Sequence, residues 1–342
     1  MKYLSSGLLL LLSFVGSAQT TITLPRESQY ASVTQRVGIS DIKVVYHSPA
    51  VKGRKIFGGL VPYDSWWRAG ANENTTISFT HEVSIEKQKL AAGIYGLHMI
   101  PGKDMWTIIF SNNHTSWGSF FYKQEEDALR VLVKPKAHGF TECLTYSFVD
   151  KSATSVKLAL IWDNIEVPVL IDVDVKNIVL ANIRNELRGN PAFTWQGWYD
   201  AANFCYENKI NFEEALHWIE KSDKMKPGDF NILRLKASIL EVSGNNTGAE
   251  IIMKDLVANA KEADLNAYGY ELLSQGKNRE AIEIFQLNVK RHPKSWNVYD
   301  SLAEAYSKKG DKQAAIKQYE LALKSAPEDQ KKRIEQSIIT LK

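Results

Sequence analysis

Pro327 lies 34 residues after Pro293, and the residues ahead of the two prolines recur at the same offset. Before Pro327 stand Tyr299, Leu302, Ala303, Tyr306, Gly310, Ala315, Tyr319 and Ala322; before Pro293 stand Leu265, Gly269, Leu272, Gly276, Ala281 and Phe285. This is the spacing of a helix-turn-helix repeat, in which small residues let two helices approach and large ones fill the space between hairpins. A segment with this period has few other folds open to it, because each hairpin buries its apolar face only against its neighbours.

Two earlier copies are weaker. Tyr199, Tyr206, Ala215 and Pro227 mark one, and Leu233, Ala237, Leu240, Gly244 and Ala249 the other. Gly244 to Gly276 is 32 residues, so one linker is shortened by two. The spacing predicts four tetratricopeptide-like repeats over 196–342, closed by a capping helix that carries Ile334, Ile338 and Leu341 on one face. Arrays of this kind hold peptides or helices along the first helix of each repeat. Projecting the register there gives Asp200, Phe204, Glu207, Arg234, Ser238, Glu241, Asn266, Tyr270, Asp300 and Glu304, with five carboxylates against one arginine. An acidic surface of this kind suits a basic or polar protein partner; a merely solvated face is the alternative.

The preceding half has a different period. Ile42, Val44 and Tyr46, then Ile77 and Phe79, then Val83 and Ile85 alternate with polar residues. Runs follow at 94–99, 106–110, 129–133, 144–148, 156–162 and 167–173, separated by turn formers such as Gly93, Pro101-Gly102, Asn112-Asn113 and Asp163-Asn164. Period-two runs with no helical pattern between them predict an all-β domain over 19–175, an antiparallel β-sandwich with an open barrel as the alternative. Val179, Ile183 and Leu187 then recur at helical spacing, which predicts a connecting helix over 176–195 ahead of the all-α repeats.

At 342 residues, with 44% hydrophobic and 24% charged residues, the chain has the balance of a globular protein of about two domains. Lys2, the apolar run 8–15 and the small residues Gly16-Ser17-Ala18 read as an export signal, so the mature protein is expected to begin near Gln19 in the periplasm or outside the cell. The apolar run falls short of the roughly 20 residues that span a bilayer. A net charge of +3 without a dense basic cluster argues against nucleic-acid binding. Cys143 and Cys205 fall in different predicted domains, on a strand and a helix, and are expected as two buried free thiols.

The segment KGRKIFGGLVPYDSWWRAGANENTT at 52–76, with LAAGIYGLHMIP at 90–101 and WTIIF from Trp106, resembles the signature of an uncharacterised bacterial family, the domain of unknown function 2911. The resemblance spans about 30–175. The family usually has proline where this chain has Ala91 and often arginine where it has Ser48. Members often carry an export signal upstream and helical repeats downstream, so the resemblance implies architecture and location and leaves the mechanism open.

Residues 66–74 are the most suggestive for chemistry. Arg68 offers a rigid fork of donors, Glu73 two acceptors, Asn72 both, and Trp66 and Trp67 flat apolar faces around Gly70. That mixture suits a sugar ring or a carboxylate-bearing peptide. Alternatively, Arg68 and Glu73 staple the loop while both tryptophans fill the core. Arg54 and Lys55 add a possible anion-binding turn, and His47, Arg68 and Glu73 a possible base, anion stabiliser and acid. No G-x-S-x-G element, P-loop or zinc-like histidine spacing accompanies them, and Asp172 and Asp174 lack a calcium loop. No cofactor or metal is expected. The sequence thus reads as an exported, non-enzymatic binding or scaffold protein of the bacterial envelope. Its β domain would recognise a glycan or peptide through His47, Arg54, Trp67, Arg68, Asn72 and Glu73; a hydrolase of envelope glycans or peptides and a purely structural module are the alternatives.

Overall fold

The computed structural model describes residues 24–342; the export-signal segment lies outside the described residues. The chain divides into two compact units, with the division between Val179 and Leu180.

The first unit is two antiparallel sheets around one core. A six-stranded sheet runs in the order β1 (Gln29–Val37), β2 (Ser40–Ser48), β3 (Thr76–Phe79), β6 (Gly93–Ile100), β7 (Trp106–Ser111), β8 (Asp127–Val133). A four-stranded sheet runs β5 (Gln88–Leu90), β4 (Val83–Ile85), β10 (Ser155–Asp172), β9 (Lys136–Val149). Alternation decides which side chains meet between them: Ile42, Val44 and Tyr46 of β2 and Leu97 and Met99 of β6 share one buried cluster with Tyr146, Leu158, Leu160 and Trp162. The register of β2 on β3 pairs Val44 with Ile77 and Ile42 with Phe79, so their apolar faces coincide.

One strand expectation changes, and one strand is added. The runs at 156–162 and 167–173 are one strand, not two. Asp163 takes a left-handed φ of 55° and the pairing of β10 with β9 shifts register on either side of it, so the turn-forming pair makes a bulge within a bent strand. In addition, β1 forms although little of it is buried, because its backbone zips along the whole of β2 from Gln29–Ser48 to Val37–Ser40.

The second unit is helical. Antiparallel pairs are formed by α2 (Trp195–Asn208) with α3 (Phe212–Met225), α4 (Phe230–Val242) with α5 (Asn246–Asn259), α6 (Glu262–Ser274) with α7 (Asn278–Arg291), and α8 (Trp296–Lys309) with α9 (Lys312–Leu323). The signature alanines Ala215, Ala281 and Ala315 are fully buried, as close helix approach requires. Helix α10 (Glu328–Leu341) closes the end, with Ile334 and Ile338 packed among Tyr319, Ala322 and Ala303. Ahead of these lies α1 (Val175–Glu186), whose Val175 and Ile178 pack in the sandwich core and whose Leu180 belongs to the helical one.

Both cysteines are free; Cys205 is buried, but Cys143 is exposed, contrary to expectation. It lies on β9 beside Leu144, whose side chain takes the inward place in the alternation.

Candidate functional site

The long connection between β2 and β3 folds back on the sandwich instead of crossing solvent. Trp67 exchanges two backbone hydrogen bonds of 2.8 Å with Met99 on β6, and Val51 donates to the carbonyl of Glu142 at 2.8 Å. Its turns use left-handed backbone at Lys52, Asp64, Ala69 and Asn72. Two buried hydroxyls secure the turn at Ala69, whose carbonyl accepts from Tyr146 Oη at 2.8 Å and Thr75 Oγ1 at 3.2 Å. Gly70 is needed there because a Cβ would stand 2.6 Å from Thr75 Oγ1.

The two tryptophans separate. Trp67 stacks on Trp162 with ring centres 5.9 Å apart and donates through Nε1 to the Gly70 carbonyl, so it belongs to the core. Trp66 is 58% exposed and rests on the ring of Tyr122 at 5.5 Å. Glu73 and Arg68 do not pair. Glu73 is held by Arg26 at 2.5 Å and by His47 Nε2 at 3.3 Å. Burial works against its charge, but the Arg26 hydrogen bond and the nearby His47 prevail, and its carboxyl titrates below the usual range. Asn72 donates to the Ser28 carbonyl at 3.1 Å, and Arg54 donates to the carbonyls of Ala50 and Val51. Glu73, Asn72 and Arg54 are therefore engaged in fixing the loop and the segment before β1.

Arg68 is different. It makes no hydrogen bond or ion pair among the described residues, and its Nε is fully buried. Burial lowers its pKa, with no neighbouring anion to oppose the change. The guanidinium lies over Gly118, which has a φ of 59° and where a Cβ would stand 2.5 Å from Arg68 Nη1. A side chain at 118 would displace the arginine.

Arg68 lines a cavity of about 570 Å³, large enough for a drug-sized molecule. Trp66, Trp67, Trp162, Leu60 and Phe120 give it apolar walls; Lys52 and Arg54 add positive charge, Glu27 is its one carboxylate among the lining residues, and Ser119 supplies a hydroxyl. Of the six residues expected from sequence, Trp67, Arg68 and Arg54 line this space, while His47, Asn72 and Glu73 do not. Sequence reasoning missed Ser119 and Phe120, which reach the cavity from the connection after β7. The exposed aromatics Trp117, Phe120 and Phe121 around Gly118 were the available signal.

Beneath that connection lies His98. Leu97 and Met99 face the sandwich core, so His98 points to the other face of β6, where residues 119–122 cover it. Its Nδ1 is 2.8 Å from Ser119 Oγ, its ring centre is 5.2 Å from that of Tyr122, and it is 2% exposed. Burial, only partly opposed by Asp127, pushes its pKa down to about 4. Among the described residues no cluster of histidine, cysteine or carboxylates is suited to a metal ion.

In the helical unit four of the ten projected residues are tied up between repeats or with the cap. Arg234 pairs with Glu271, and Tyr270 donates to Glu304 at 2.9 Å while its oxygen stands 3.3 Å from the Ser301 hydroxyl. Asp300 is 7% exposed and pairs with Arg333 of α10 at 2.7 Å, so it is part of the cap packing and not of an open surface. The reason is that the capping helix lies on the last repeat and carries a cation to it. Asp200, Glu207 and Glu241 remain exposed, with Phe204 half-buried.

Two family matches fit this architecture. Residues 28–171 match the family described as a protein of unknown function (DUF2911), and residues 297–329 match a tetratricopeptide repeat. The β domain is thus a DUF2911 region. Comparison with curated proteins finds no match. Among solved structures, a crystal structure of MamA protein is 16% identical, covering 46% of this chain and 85% of that one with a TM-score of 0.29. YrrB, described as a TPR protein with an unusual peptide-binding site, is 16% identical over 45% of this chain and 79% of its own, with a TM-score of 0.27. PilF of Pseudomonas aeruginosa is 15% identical over 44% and 68%, with a TM-score of 0.28. The DUF2911 region itself has no described function, while tetratricopeptide repeats imply protein–protein interaction or scaffolding.

Proposed function

We propose that this chain is an exported binding protein of the bacterial envelope, whose β domain holds a carboxylate-bearing glycan or peptide and whose helical repeats hold a protein partner. The observation that carries the ligand reading is Arg68, a guanidinium with a buried Nε and no partner in a cavity of about 570 Å³. A half-buried guanidinium without a counter-charge has donors to offer, and an anion entering the cavity would supply the missing partner with bidentate geometry. Trp66 and Phe120 offer flat faces for the apolar side of such a ligand.

Calorimetric titration of the mature protein with glucuronic acid and its methyl ester, and with acetylated dipeptides bearing free or amidated C-termini, tests this. The free acids should bind at least about tenfold more tightly, a difference of about 1.4 kcal/mol. Arg68→Met should abolish that preference yet change unfolding stability by under about 0.5 kcal/mol, since no partner charge is stranded. Equal affinity for acids and neutral forms, or an unchanged preference in Arg68→Met, would reject the reading. For the repeats, the exposed Asp200, Glu207 and Glu241 favour a basic or polar partner. Export rests on the apolar run and small residues at 8–18, and N-terminal sequencing from the envelope fraction decides it.

A further inference from the structure

Ser119 and His98 stand together where the cavity meets the outer face of β6. Ser119 lines the cavity and is one residue from Gly118, over which Arg68 lies. Its Oγ is 2.8 Å from His98 Nδ1, within the reach required of a nucleophile and its base. The imidazole is in turn confined. Tyr122 lies against it, and a Cβ at Gly96 would meet His98 Nε2 and Asn74 Nδ2, each at 3.3 Å. Asn74 is buried with both its amide atoms unpaired. His47, the base expected from sequence, stands beside Glu73 and does not line the cavity.

We propose that Ser119 is the nucleophile and His98 the general base of an esterase site that cleaves esters of the carboxylate-bearing ligand held by Arg68. The proposal rests on the ligand reading above for its substrate class. Ser119 Oγ attacks the acyl carbon while its proton passes to His98 Nδ1. As the tetrahedral centre collapses, the bond to the alcohol oxygen breaks and the imidazolium returns the proton to that oxygen. Water then adds to the acyl carbon of the Ser119 ester and gives one proton to His98. Breaking the Oγ–acyl bond releases the carboxylic acid, and the proton returns to Oγ. Burial keeps the His98 imidazole neutral at ordinary pH and makes it a weaker base than a free histidine.

The test uses a fluorophosphonate probe, with mass spectrometry of the adduct, and hydrolysis of 4-nitrophenyl acetate and 4-nitrophenyl hydrogen succinate by the mature protein. Ser119 should carry the adduct, Ser119→Ala should carry none, and His98→Gln should react about 100-fold more slowly, the lower end of what a general base contributes. Circular dichroism accompanies each variant, and Ser119→Ala, which keeps the imidazole, stands in if His98→Gln fails to fold. An unlabelled wild type, or labelling that persists in Ser119→Ala, overturns the proposal. The two readings fail separately: carboxylate binding without an adduct sinks the esterase alone. Labelling at Ser119 with an Arg68→Met variant that still prefers the succinate ester sinks the ligand reading alone.

Discussion

His98 shows how the outer layer of the sheet changes the behaviour of a single group. An ordinary histidine titrates near 6.5, whereas burial under Ser119 and Tyr122 holds this one at about 4 despite Asp127. Between those values the unfolded chain binds a proton that the folded chain refuses. The stability this group contributes is therefore complete above about pH 6.5 and lost as pH falls toward 4, about 3 kcal/mol in all. Denaturation midpoints measured at pH 7.5 and 4.5 should show that loss in the wild type, and His98→Gln should show about that much less. Equal pH dependence in the two proteins would mean that His98 is open to solvent. Arg68 illustrates the opposite case, a charge retained in a half-buried place with no internal partner.

Among the elements, the helical hairpins depend on one small residue each. Gly269 of α6 packs on Phe285 of α7, where a Cβ would stand 2.5 Å from both Phe285 Cε1 and Cζ. Phe285 is fully buried and has nowhere to move. Gly269→Ala should therefore lose about 1–3 kcal/mol to overpacking, reduced by about 1 kcal/mol of helix propensity. Phe285→Leu in the same chain should recover part of the loss, and thermal unfolding followed by far-ultraviolet circular dichroism measures the coupling. Independent, additive effects would show that the helices are not in contact there. Among the strands, β10 makes the converse point, because Asp163 bends it without ending it.

For the whole molecule, the buried side chains fall into separate clusters on either side of the division at Val179 and Leu180. Each unit is of the size at which a core sustains folding. Residues 24–179 and 180–342, expressed apart, should retain the sheet and helix circular dichroism of their part of the intact chain, with cooperative melting. Non-cooperative melting of either fragment would mean that it borrows stability from the other.

The repeat period, the alternation of the strands and the change between them were legible in the sequence, because burial on one face imposes its own spacing on the chain. The capping helix was legible for the same reason, through Ile334 and Ile338. Trp67 and Arg68 could be named as candidates from composition alone, but their roles could not. Whether Arg68 met Glu73 depended on Arg26 and His47 claiming the carboxylate, and whether Asp300 was open depended on Arg333 arriving from the cap. Ser119 and His98 are 21 residues apart and carry no joint motif; β6, β7 and the connection after them bring the pair together. Local spacing reports which face of an element is buried, while the meeting of polar side chains from different elements is decided only when the sheets and helices have packed.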